Sequence, residues 1–194
     1  MSRYVLIAAG VLFLLYPALR PWEDESTTDG AVAAMGSTAW VIAHLCAMIG
    51  FILVSLGLLA LRDRIGIGPV MTTWIGVGLV LPYYGAEDFG LHAAATAGSR
   101  DDLLDVFEAF RYGAIPAAMF AAGLIALAAG AIWVAVTLRT NAAIAFAAGF
   151  ALFMPQFFAP PAIRIAHGVL VLIGCVWLGL STTARSPVSE PERA

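Results

Sequence analysis

The sequence predicts an all-α, polytopic integral membrane protein with six transmembrane helices in one bundle. Three observations lead there. Hydrophobic residues make up 61% of the chain and charged residues only 12%, about half the charged share of an ordinary soluble domain. Mean hydropathy is +0.91, more apolar sequence than one water-soluble core of this length can use. The apolar residues also fall into long runs, punctuated by arginines, acids, glycines and prolines. The net charge of −3 leaves no electrostatic footprint for nucleic acid. Cys46 and Cys175 both lie inside apolar runs, without a redox or zinc spacing, and read as buried thiols.

The first run, 4–19, lies between Arg3 and Arg20-Pro21 and is expected to be a retained span. A cleaved signal peptide is the competing reading, disfavoured by a weak positive segment and a long apolar one. A loop over 20–36 follows, with Glu23, Asp24, Glu25 and Asp29 against Arg20, and with Trp22 suited to the headgroup boundary. Ser37 or Thr38 starts the second span, 37–61, which Arg62-Asp63-Arg64 closes. The third span, 70–94, contains Pro82 and is expected to kink there, because proline withholds its amide from the i−4 carbonyl. A polar connection over 95–108 carries a capping-box pattern at Ser99 and Asp102 and an amphipathic, interfacial stretch beyond it. The fourth span is 109–138 and the fifth 142–158, broken by Pro155 near its end. After Pro160-Pro161 the sixth span runs over 162–183. One transmembrane domain thus covers 1–185, and 186–194 reads as a disordered cytoplasmic tail.

Arginine bias in short loops orients membrane proteins, and acids contribute little. The loops after the first and third spans hold eight acids and two arginines, whereas Arg3, Arg62, Arg64, Arg139 and Arg185 lie on the other side. Both termini are therefore expected in the cytoplasm of a plasma-membrane protein, with the acidic loops outside. Lipid is the expected neighbour, and another membrane protein or a second copy is a candidate partner.

The stretch Pro82–His92 holds two adjacent carboxylates and a histidine inside the third span, and carboxylates at membrane depth need a reason. At about 1.5 Å of rise per residue, His44, His167, Glu87 and Asp88 all fall within about 10 Å of the outer boundary, with His92 nearer the surface and Arg111 and Arg164 near the rim. Tyr84, Asp88 and His92 recur every four residues on one helical stripe, while Glu87 lies three residues from Tyr84. Helical spacing leaves open which acid faces inward.

This polar layer has three readings. His44, His92 and His167 with Glu87 or Asp88 are the ligand types for zinc, iron, manganese or copper. The spare acid would then orient a ligand, and Glu87, Asp88 and Tyr84 would serve metal-assisted hydrolysis or redox chemistry on a small or lipid-like substrate held by Arg111 and Arg164. Alternatively, His44 and His167 are axial ligands of a b-type haem, with Gly50, Gly168 and Gly174 giving room for the ring. The third reading is cofactor-free, with Arg111 or Arg164 neutralising Glu87 or Asp88 in a solute or proton path or a structural subunit. Walker, Rossmann, H-E-x-x-H and G-x-S-x-G patterns are absent from the sequence, which argues against an ATPase or a serine hydrolase.

Overall fold

A computed structural model describes residues 2–181, which are helical apart from short connections. In chain order the helices are α1 (Ser2–Leu19), α2 (Thr28–Met35), α3 (Thr38–Leu59), α4 (Arg62–Ile65), α5 (Ile67–Gly85), α6 (Leu91–Ala97), α7 (Leu103–Tyr112), α8 (Ala114–Leu138), α9 (Asn141–Ala151) and α10 (Pro161–Ser181). A π-helical turn, Ala86–Gly90, joins α5 to α6 without a break, and a 3-10 turn, Pro155–Phe158, lies between α9 and α10.

The protein is an all-α, multi-pass membrane protein, but six spans are not found. Among the described residues four helices are long and apolar enough to cross a bilayer: Thr38–Leu59, Ile67–Ala97, Ala114–Leu138 and Pro161–Ser181. The other two apolar runs make shorter helices, Arg3–Leu19 and Asn141–Ala151. Composition suggested a span in each case, and helix length decides against it. An 11-residue helix reaches only about 16 Å, roughly half the hydrocarbon thickness. The fifth run is cut because the chain turns at Leu152 and Pro155 starts the 3-10 turn.

Other boundaries move for local reasons. Gly113 ends α7 and begins α8, so 109–112 belong to the interfacial helix and not to the fourth span. Part of the 20–36 loop folds as α2, capped by the Thr27 hydroxyl on the Gly30 amide. The Ser99–Asp102 capping box does not form: Asp102 precedes α7 without a side-chain cap, and the Ser99 hydroxyl accepts from Asp101 instead. Arg185, the end of the sixth run and the tail lie outside the described residues.

Ser37 caps α3 as expected, accepting from the Trp40 amide at 3.1 Å while its hydroxyl donates to the Ala34 carbonyl at 2.7 Å. The one hydroxyl ties the end of α2 to the start of α3. Ser37→Ala is expected to lower stability by about 1 kcal/mol, read as a lower midpoint in a thermal melt of the detergent-solubilised protein.

The helices α1, α3, α5, α8, α9 and α10 pack in that order around a ring, and α10 closes it on α1. Gly179 of α10 lies against Arg3, so both ends of the described chain share one end of the bundle. Aromatic rings fill the middle: Phe13 meets Phe51, Phe150 and Phe153 edge-on, with centroids 4.9–5.7 Å apart. A second, smaller core of Ala31, Ala34, Met35, Trp40, Leu91, Leu103 and Phe107 places α2, α6 and α7 over the other end.

Candidate functional site

Between the aromatic plug and the small helices the ring opens into a cavity of about 560 Å³. His44, Tyr84, Glu87, Arg111 and Arg164 all line it, together with Tyr16, Arg20, Trp22, Glu25 and Phe120. Most of the polar layer foreseen from depth therefore converges here. His92, His167 and Asp88 do not.

The π turn explains the division within the third span. Its Leu91 amide donates to the Ala86 carbonyl, five residues back, so each residue winds through a smaller angle than in an α-helix. A four-residue spacing then no longer returns to one face. Tyr83 and Tyr84 at the end of α5, and Glu87 early in the turn, face the cavity. Asp88 is carried off that face; it is 0% exposed, and neither carboxylate oxygen has a hydrogen-bond partner among the described residues. The Nδ1–H of His92 donates to the Met35 carbonyl at 2.7 Å, which fastens α6 to α2. The irregularity expected at Pro82 thus takes the form of a widened turn one residue past α5.

Four charged side chains form a chain across the mouth. Arg111 donates to both carboxylate oxygens of Glu87, Nε to Oε1 at 2.7 Å and Nη2 to Oε2 at 3.0 Å. Its Nη1 donates to Glu25 Oε2 at 2.7 Å, and Arg20 Nη2 donates to the other Glu25 oxygen at 2.6 Å. Two guanidiniums and two carboxylates cancel, with side-chain exposures of only 9–16%. Burial alone would weaken the charge on Arg111, but Glu87 and Glu25 hold its proton above the ordinary arginine range. The ring of Trp40 lies under Arg20, and its Nε1–H donates to the Glu87 carbonyl at 3.0 Å.

Sequence reasoning paired Arg111 with the third-span acids and left Arg20, Glu25 and Trp40 out of the site. The available signal was stoichiometric. Arg111 carries five N–H donors, more than one carboxylate takes, and the acids Glu23, Asp24 and Glu25 lie close to Arg20 and Trp22 in the first loop.

The three histidines are spent separately. His44 is 2% exposed, its Nδ1–H donating to the Trp40 carbonyl at 2.8 Å, so Nε2 is left as an acceptor. His167 donates from Nε2 to the Gly149 carbonyl at 2.7 Å, with its ring edge-on to Phe153. Among the described residues no three His, Cys, Asp or Glu side chains gather where they could share a metal ion. The glycines foreseen as room for a haem are helix contacts instead. Gly50 meets the Phe13 ring, Gly168 meets Leu14 and Pro17, and Gly174 meets the Phe146 backbone.

Arg164 differs from the other two arginines. Its Nε donates to Gln156 Oε1 at 3.1 Å, and its guanidinium lies 4.8 Å from the centre of Trp22 and 5.1 Å from that of Phe157. All three partners are neutral, and its salt-bridging capacity is unused among the described residues. The wall opposite is apolar, built from Ala117, Phe120, Ala121 and Leu124 of α8. The cavity can therefore take an anionic group at one side and a hydrocarbon body at the other. No protein-family model, no curated protein and no solved structure matches the chain.

Proposed function

We propose that this membrane protein binds an amphiphilic anion in the cavity, from the outer face of the plasma membrane. The observation that carries the reading is Arg164. It is a half-buried guanidinium beside neutral partners, in a cavity whose other buried charges already cancel and whose far wall is apolar. Guanidiniums suit phosphate and carboxylate, and the volume falls in the range that holds small ligands. Glu23 also borders the mouth, but it is exposed and hydrated. The outward orientation rests on arginine bias. Arg62, Arg64 and Arg139 lie in the short connections at the end of the bundle away from the cavity, and the loops at the cavity end hold Arg20 and Arg100 among eight acids.

Dodecyl phosphate, titrated into detergent-solubilised protein and followed by tryptophan fluorescence, tests the reading, because Trp22 touches Arg164. Saturable binding is expected, with dodecyltrimethylammonium inert. Arg164→Gln should weaken the phosphate by about tenfold or more at an unchanged melting midpoint, the loss expected for a hydrogen-bonded charge pair. Equal binding of the two amphiphiles, or an unaltered Arg164→Gln affinity, would overturn it.

A further inference from the structure

We infer that the anion is the headgroup of a bilayer phospholipid, which reaches Arg164 sideways through a gap between α8 and the 3-10 turn. This inference rests on the anion-binding reading and adds the source and route of the ligand.

Among the described residues the three most exposed large apolar side chains are Phe158 at 89%, Ile115 at 81% and Tyr112 at 77%. Tyr112 and Ile115 flank the α7–α8 junction, and Phe158 ends the 3-10 turn. Tyr112 and Phe158 also line the cavity. A side chain that both lines a cavity and stands open can only be at its mouth. Aromatic and aliphatic groups on a rim facing bulk water would be unfavourable, whereas tyrosine and phenylalanine at the headgroup boundary are favoured. The amphipathic α7, which buries Leu103 and Phe107 and exposes Val106, sets that boundary beside the gap.

The gap has the shape of a side door. Its α8 jamb presents Ala117 and Ala121, four residues apart on one face, so the opening is bordered by methyl groups. Its lower edge is closed by Phe120 against Phe157, with ring centroids 5.4 Å apart. Phe157 also lies against Arg164, so a headgroup passing over this sill meets the guanidinium at once. The acyl chains then run out along the apolar α8 wall into the bilayer, so that little hydrocarbon leaves an apolar surrounding.

The test uses full-length protein in nanodiscs carrying Trp74→Phe, Trp133→Phe and Trp177→Phe, so that Trp22 and buried Trp40 report. The probes are dioleoyl phosphatidic acid brominated on its acyl chains, and water-soluble hexyl phosphate. Wild-type gating residues should give saturable quenching by the lipid at low mole fraction, well above that by brominated phosphatidylcholine. Ile115→Glu, on the rim but outside the cavity lining, should reduce lipid quenching to the level of brominated phosphatidylcholine and leave hexyl phosphate affinity within about twofold, while Arg164→Gln should weaken both probes by about tenfold. Unchanged lipid quenching in Ile115→Glu overturns the side door and leaves the anion site standing. Unchanged binding of both probes in Arg164→Gln overturns the anion site itself. If Ile115→Glu abolishes both probes, Ile115→Gln decides: lipid quenching must fall while hexyl phosphate holds, and an unaltered lipid signal overturns the inference.

Discussion

Arg111→Met is expected to destabilise the protein by about 3–5 kcal/mol, the cost of stranding buried carboxylates without their cation. Among the described residues Arg111 is the one side chain that joins α7 electrostatically to both the π turn and the first loop, through Glu87 and Glu25. Its loss leaves two carboxylates facing the single charge of Arg20 at a site that water barely reaches. Arg111→Lys should recover only part of the loss, because an ammonium cannot donate two parallel bonds to Glu87 while bridging Glu25. Glu87→Met/Arg111→Met should be more stable than Arg111→Met alone, since Glu25 and Arg20 then remain a balanced pair. The difference should exceed about 1 kcal/mol, as for residues in one buried network. Reversible unfolding in mixed micelles, followed by far-ultraviolet circular dichroism, measures all three variants. An Arg111→Met protein within about 0.5 kcal/mol of the parent would mean that the network is solvated and holds nothing together.

Why part of this site was legible in the sequence and part was not follows from what periodicity encodes. Depth is a one-dimensional quantity, and counting residues from loop ends placed His44 and Glu87 in one layer with Arg111 and Arg164 at its rim, where the cavity lies. Azimuth is different, because it depends on every residue keeping an α-helical turn angle. One π turn at Ala86–Gly90 was enough to separate Asp88 and His92 from Tyr84, and no local residue type announced it beyond the flanking glycines. His167 shares the depth, yet a backbone carbonyl on α9 holds its Nε2, and the sequence gives no sign of a carbonyl partner contributed by tertiary packing. The span count failed for a related reason. Hydropathy integrates composition over a window, so it scores 142–158 as apolar although the helix inside it stops at Ala151. Arg20 and Glu25 escaped notice because loop residues are presumed solvated, and only the fold of α2 and α7 over the mouth removes them from water.

Gly123→Leu should be as damaging as the loss of Arg111, and for a purely steric reason. Helices in a bilayer gain little from hiding apolar surface from lipid, so they associate through close packing of small residues. The α5–α8 pair does this at Gly76, Gly123 and Gly130. A Cβ on Gly123 would stand 2.7 Å from Val80 Cγ2 and 2.9 Å from the Gly76 carbonyl, and one on Gly76 would stand 2.8 Å from the Gly123 carbonyl. Backbone meets backbone here, so a side chain can be accommodated only by moving the helices apart. Gly123→Ala should already cost about 1–3 kcal/mol, as overpacking does, and leucine more. The control lies on the same pair: Gly78 of α5 has open space around it, and Gly78→Ala should be neutral or stabilising by up to about 1 kcal/mol through helix propensity. The separation also reaches the cavity. Tyr83, Tyr84 and Glu87 ride on the third span, and Ala117, Phe120 and Ala121 form the facing wall on α8. Gly123→Ala should therefore weaken dodecyl phosphate binding even at temperatures where the protein remains folded, whereas Gly78→Ala should leave it unchanged. Equal stability of the two alanine variants would show that α5 and α8 do not pack through these glycines. A stability loss in Gly123→Ala alone, with dodecyl phosphate binding intact, would show that the cavity wall is positioned by other contacts than this crossing.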